Sequence, residues 1–281
     1  MDIKKVIRKR KSCRSFNRDV VNYGLVKILN NYILENSTSL NGEVIKLHIV
    51  EKSSKEKKMK LDYGAIKGHH VYLLGTSDTS GFSKVNYGYL MEKVVLKATD
   101  MRLATCWIGY FDKDYFPEVI VEKEKEIPGI VILGFSERNR PTLEKIVRFS
   151  LKASKRNEWK QLFFNYKSDL PLSHKQVKGY ADSLDMVRLA PSSGNTQPWR
   201  VFFDESAAEF HFFKKAVNKN YEKTGMHYID LGIALSHFEM TAVQNKLSGS
   251  WKIYPNDQIT SPAELEYIIT WKCNKKTTAA L

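Results

Sequence analysis

Two periods of apolar and polar residues divide the chain into helices and strands. Ile3, Val6 and Ile7 recur at helical spacing and predict a short helix over residues 2–11, with Lys4, Lys5, Arg8 and Lys9 on its outer face. Leu25, Ile28, Leu29, Tyr32 and Ile33 predict a second helix over 23–35, and Val44 to Val50 alternates as a strand. His69 to Leu74 reads as a buried strand; its adjacent histidines face opposite sides, which makes His69 and His70 poor partners for a shared metal. The longest apolar repeat, through Leu90, Val94, Val95, Ala98 and Met101, predicts a central helix over 84–103, followed by strands at 104–111 and 127–134. A helix at 174–189, a strand at 199–204 and a second long helix at 227–247 complete the pattern.

Composition narrows the class. The 281 residues are 42% hydrophobic, enough for a packed core, and no apolar run approaches the roughly 20 residues a membrane helix needs. Residues 1–11 are charged and lack the apolar stretch of a secretory signal, so a soluble cytoplasmic protein is expected, with no membrane partner. Cys13, Cys106 and Cys273 are an odd number without metal-ligand spacing and read as free thiols; no metal site is expected. The net charge of +14 suits anionic ligands. Much of it sits in solvated stretches such as Lys52 to Lys60, which reads as a polar connection between strands. Neither a basic helix with base-reading residues nor interleaved stacking aromatics occurs at recognisable spacing, so no nucleic-acid partner is expected.

Candidate chemistry concentrates in four stretches. Ala190-Pro191-Ser192-Ser193-Gly194-Asn195-Thr196-Gln197-Pro198-Trp199 combines two fixed proline angles, a permissive glycine, and hydroxyls and amides able to hold a polar planar ligand. Arg10-Lys11-Ser12-Cys13-Arg14-Ser15-Phe16 ends the first helix with cations and hydroxyls suited to a phosphate and a polar chain below it. Ala104 to Phe111 follows the central helix, and Gly134 leads into Phe135 to Pro141 with Arg138 and Arg140. The first stretch resembles the Ala-Pro-Ser-x-x-Asn-x-Gln-Pro-Trp loop of the flavin-dependent nitroreductases. The second resembles that family's Arg-Arg/His-Ser-x-Arg/Lys-x-Phe signature, and the other two its segment after the core helix and its Leu-Gly-Tyr-Pro ending.

An internal comparison accounts for the loop standing in the second half of the chain. The shift that carries Trp107 onto Trp251 also carries Gly88 onto Gly232, Ala98 onto Ala242, Leu103 onto Leu247 and Asn86 onto Asp230, without a gap. The chain therefore reads as a tandem duplication, residues 1–150 and 151–281. The first half keeps the Arg10 to Phe16 signature and Arg138/Arg140, but has Asn36 to Gly42 where the amide-rich loop belongs. The second keeps the loop, but its Lys155-Arg156-Asn157-Glu158-Trp159 is not a Ser-flanked Arg pair leading to Phe. Family dimers build each flavin site from two subunits, so these halves are expected to form an intrachain pseudo-dimer with one complete site and to act as a monomer. The resemblance implies an α+β fold of two nitroreductase-like halves, with antiparallel-rich sheets flanked by helices around the two long central helices.

It also implies the chemistry. An FMN would take a hydride from NADH or NADPH at N5 and pass electrons to a small acceptor such as a nitroaromatic or quinone, in a ping-pong cycle, with no side chain as nucleophile. Arg10, Lys11, Ser12, Arg138 and Arg140 would hold the phosphate and ribityl groups, while Arg14 would give electrostatic support to the reduced ring. Backbone of Ile108, Gly109 and Tyr110 would border the reactive edge, with Gly109 allowing close approach. Pro191, Ser192, Ser193 and Asn195 would cover the ring, and Gln197 would be structural. Cys13 is incidental to the motif. The sequence leaves two other readings open, a non-redox flavin binder or sensor and a basic nucleic-acid-binding protein.

Overall fold

The computed structural model describes residues 1–17, 19–52, 66, 71–137, 155–255 and 257–274. Helix α1 (Ile3–Lys9) starts where the Asp2 side chain accepts the Lys5 N–H and turns its apolar edge to Leu96 and Met186. Helix α2 (Tyr23–Glu35) is capped by Asn22. The central helix α3 (Gly81–Asp100) is capped by Ser80, and its counterpart α6 (Met226–Gln244) follows Gly225 at φ 73°. Both central helices are buried on nearly every face, and they pack against each other.

Their crossing is built on two glycines. A Cβ on Gly88 would lie 2.2 Å from the Ile229 carbonyl oxygen, and one on Gly232 would lie 2.0 Å from that of Val85. The two backbones can meet only where no side chain stands between them. The helices also end alike: Arg102 (φ 67°) and Lys246 (φ 60°) turn left-handed, and Leu103 and Leu247 donate at 2.9 Å to the Ala98 and Ala242 carbonyls.

Four strands form the first sheet: β1 (Leu47–Glu51), β2 (Val71–Gly75), β4 (Ala104–Ile108) and β6 (Ile130–Gly134), ordered β1-β2-β6-β4 and antiparallel throughout. A separate two-residue pair, β3 (Ser77–Asp78) and β5 (Lys125–Glu126), lies beside it. The second sheet holds β7 (Phe163–Asn165), β8 (Trp199–Asp204), β9 (Glu209–Lys215), β10 (Gly249–Lys252) and β11 (Leu265–Cys273), in the order β10-β11-β9-β8-β7. Apart from β7, which pairs in parallel with β8, it repeats the connectivity of the first sheet strand for strand. Helix α4 (Ala181–Leu189) precedes β8 as α2 precedes β1, and a short α5 (Lys219–Lys223) precedes α6. The fold is α+β, with two antiparallel-rich sheets around paired central helices.

Several expected boundaries shift. The helix expected over 174–189 is regular only from Ala181, because a Ser173–Gln176 capping box closes a separate tight turn and Gly179 weakens the next. Strand 44–50 begins at Leu47, strand 127–134 at Ile130, and strand 104–111 ends at Ile108, leaving Gly109 and Tyr110 in the following loop. His69, His70, Arg138, Arg140, most of the 52–60 connection and the division expected at residue 150 lie outside the described residues.

Candidate functional site

After α1 the chain runs extended along the first sheet. Ser12 bridges to Thr105, the Cys13 N–H donates to the Thr105 carbonyl at 2.9 Å, and Phe16 bridges to Ser136. This anchoring buries Cys13 and Phe16 in the core and leaves Ser12 and Arg14 on a cavity of about 360 Å³, a size ordinary for small-molecule sites. Arg10 and Lys11 border the same space, as do Trp107, Ile108, Gly109 and Tyr110 at the end of β4. A Cβ on Gly109 would stand 2.8 Å from Met226 Sδ. The close approach that this glycine permits is therefore made by Met226 of α6.

The opposite wall comes from the other half of the chain. Pro191, Ser192, Ser193, Gly194 and Asn195 line it. Gly194, Asn195 and Gln197 all have positive φ (56°, 58° and 52°), a tight path that internal bonds maintain. The Gln197 N–H donates to Ser192 Oγ at 2.9 Å, and Gln197 Oε1 accepts the Asn157 N–H at 2.8 Å, so the buried Gln197 side chain is structural. The loop is pinned to α6 by Asp230, whose Oδ1 accepts the Ser193 N–H at 2.9 Å and its hydroxyl at 3.2 Å. Tyr221 on α5 leans over Gly194, where a Cβ would meet the ring at 2.8 Å.

Eleven of the thirteen residues singled out in the sequence thus meet around one cavity, from stretches up to about 180 positions apart; the other two, Arg138 and Arg140, lie outside the described residues. Sequence reasoning missed Arg8, Tyr221, Met226, Ile229, Ile233, Asp230 and Arg156 as lining residues. Met226, Ile229 and Ile233 are the helical face of α6 at the crossing, which periodicity assigns to the core. Asp230 carried a signal, since the internal alignment placed it on Asn86. Arg156 stood in the stretch set aside for lacking the signature.

The cavity is strongly cationic, with Arg8, Arg10, Lys11, Arg14 and Arg156 facing one carboxylate, Asp230. Burial raises the Asp230 carboxyl, and His227, with Nδ1 3.6 Å from Oδ2, together with Ser193 counters part of that rise. Burial pushes the Arg156 guanidinium down to about 10, and repulsion from Arg10 and Arg188 adds to it. Arg14 Nη1 is buried and has no hydrogen-bond partner among the described residues. A buried guanidinium N–H without an acceptor is costly in an empty protein and useful in a loaded one. The arrangement suits an anionic ligand.

The described residues hold no group of three or more side chains able to bind a metal, and none of their helices is long and apolar enough to cross a membrane. No curated protein matches the chain. Among solved structures, a "putative nitroreductase" from Thermotoga maritima is similar over 98% of this chain and 94% of its own, at 19% identity and a TM-score of 0.61. A nitroreductase family protein from Clostridium novyi matches 52% of this chain and 91% of its own, at 21% identity and a TM-score of 0.40. A nitroreductase with bound FMN from Bacteroides fragilis matches 50% and 91%, at 15% identity and a TM-score of 0.40. Residues 2–242 match the family model described as "Putative TM nitroreductase", and the chain belongs to that nitroreductase family.

Proposed function

We propose that this chain is a cytoplasmic FMN-dependent oxidoreductase that uses NADH or NADPH to reduce small acceptors such as nitroaromatics or quinones. The observation that carries the reading is the convergence of the 10–14 stretch, the end of β4 and the 191–195 loop on one cationic cavity. The residues present fit the cofactor: the volume is adequate, five cations line the cavity, and a buried N–H of Arg14 lacks an acceptor among the described residues. When bound, FMN supplies the ring atom that takes a hydride from the nicotinamide and returns electrons to the acceptor in a second half-reaction.

Each residue then has a task. Arg10, Lys11 and Ser12 hold the phosphate and ribityl end, with Arg138 and Arg140 assigned to the same end from sequence. Arg14 would stand by the ring's pyrimidine edge, where a fixed cation would favour the negative charge of the reduced state. Backbone of Ile108, Gly109 and Tyr110 would border the reactive edge. Pro191, Ser192, Ser193 and Asn195 would cover the ring from the second half and exclude water. We read the chain as two fused halves, 1–150 and 151–281, acting as a monomeric pseudo-dimer with one such site.

The test is the visible spectrum of the purified protein after FMN reconstitution, followed by anaerobic mixing with NADH and NADPH. About one flavin per chain, bleached by at least one of the nucleotides, is expected; no bound flavin overturns the reading. The double variant Arg10→Ala, Arg14→Ala is expected to keep its far-ultraviolet circular dichroism and lose its flavin, because both side chains face the cavity.

A further inference from the structure

Glu92 on α3 and His237 on α6 are completely buried, and Glu92 Oε1 stands 3.0 Å from His237 Nε2. Two further hydrogen bonds close the group. Trp107 Nε1 of β4 donates to Glu92 Oε2 at 2.8 Å, and His237 Nδ1 donates to the Met186 carbonyl of α4 at 2.9 Å. A carbonyl oxygen can only accept, so Nδ1 carries a proton, and one more proton must stand between Nε2 and Oε1. It sits on nitrogen in an ion pair and on oxygen in a neutral pair; either way Oε2 is left to accept the indole N–H. Apolar side chains of similar volume could fill this space at little or no cost in stability. They could not hold an indole N–H. Trp107 in turn lines the cavity beside Ile108, Gly109 and Tyr110. The duplication supplies a comparison. Under the shift that carries Trp107 onto Trp251, the counterparts of Glu92 and His237 are Ser236 and Lys93. Ser236 donates to Met240 Sδ at 3.6 Å and Lys93 to the Tyr89 hydroxyl at 2.7 Å. Of the two tryptophans, only the one that lines the open cavity has a carboxylate and imidazole pair behind it.

We propose that Glu92 and His237 are positioning residues for the ligand of this cavity, acting through Trp107. The pair fixes the indole, and with it the end of β4 that leads into Gly109 and Tyr110. The proposal rests on the FMN reading for the identity of that ligand. Glu92 and Trp107 come from the first half and His237 and Met186 from the second, so both halves set one wall of the site together. A fully satisfied, water-free hydrogen-bond group defines a single geometry, whereas apolar packing alone leaves the indole free to tilt.

The test compares the wild type with Glu92→Gln, Glu92→Met, Trp107→Phe and the double variant Glu92→Met, Trp107→Phe. Glutamine keeps all three hydrogen bonds, its carbonyl accepting the indole N–H and its amide donating to Nε2 of a neutral imidazole, while the shared proton is lost. Glu92→Gln is expected to stay within about twofold of the wild type in FMN affinity and in its rate of bleaching by NADH or NADPH, and Glu92→Met to lose about tenfold in either. In the double variant the losses should not add, because Glu92 acts through Trp107. Trp107→Phe removes the other end of the bond and carries the test if the methionine variant folds poorly. Wild-type behaviour in Glu92→Met or Trp107→Phe overturns the proposal, as do additive losses; a glutamine variant as damaged as the methionine one overturns it by showing that charge, not the bond, is what matters. Hydrogen exchange of the Trp107 indole N–H, read by NMR and assigned with Trp107→Phe, needs no ligand. It should be slow in the wild type and Glu92→Gln and fast in Glu92→Met. A wild type that binds no flavin sinks the function reading alone; that exchange pattern still supports the pair, and fast exchange in the wild type overturns it.

Discussion

The two loops that face the central helices at equivalent places have diverged while their anchorage has not. In the first half the Leu40 N–H donates at 3.2 Å to Oδ1 of Asn86 on α3; in the second the Ser193 N–H donates at 2.9 Å to Oδ1 of Asp230 on α6. Asn86 also donates to Asn41 and Glu43 at 2.8 and 3.0 Å, which closes its loop down with side chains. One helical turn on, Ile233 borders the open cavity. Its counterpart Tyr89 is buried, with its hydroxyl bonded to Glu239 and Lys93. The same backbone device thus frames a cavity in one half and a filled polar cluster in the other. The scaffold is shared because both helices must cross, and the difference lies in the side chains.

The largest test concerns what the halves share. Gly88→Ala and Gly232→Ala each drive a Cβ into a carbonyl of the facing helix, at 2.2 and 2.0 Å. Backbone cannot yield as a flexible side chain does, so each should cost about 3 kcal/mol or more in urea unfolding. One tolerated and one severe would break the equivalence of the two crossings.

A middle-sized effect should follow from exchanging what differs. Ile233→Tyr puts the first half's residue on the cavity wall and is expected to weaken flavin binding by about 1 to 3 kcal/mol, read by titration, through overpacking of the site. Unchanged affinity would mean that Tyr89 is not what distinguishes the filled half.

The smallest is a pH effect. A carboxyl raised by burial contributes stability that is fully present below its unfolded value of about 4 and is lost as pH rises through the folded value. Asp230→Asn copies Asn86, keeps the acceptor for Ser193, and removes this dependence. Its Tm should exceed the wild type's at neutral pH, with the gap closing in acid; a variant that is less stable at every pH would show that the contact with His227 outweighs burial.

The sequence alone determined a good deal. Apolar periodicity located both central helices to within about three residues, since a helix buried on nearly all sides must be long and apolar wherever its ends are set. Motif composition and spacing found the Arg10 to Arg14 and Pro191 to Asn195 stretches, because a cation-rich helix end and a restrained amide loop are local in sequence. Tertiary structure decided the rest. That Arg156 crosses to the first half's cations, that Met226 explains Gly109, and that Asp230 meets the Ser193 backbone all follow from how the two central helices cross. Such contacts join residues with no local pattern linking them. Helical spacing assigns Ile229 and Ile233 to a buried face, and only the packed chain reveals that this face borders a cavity. Local physics writes periods and caps into a sequence, whereas a site shared between two halves exists only after they have met.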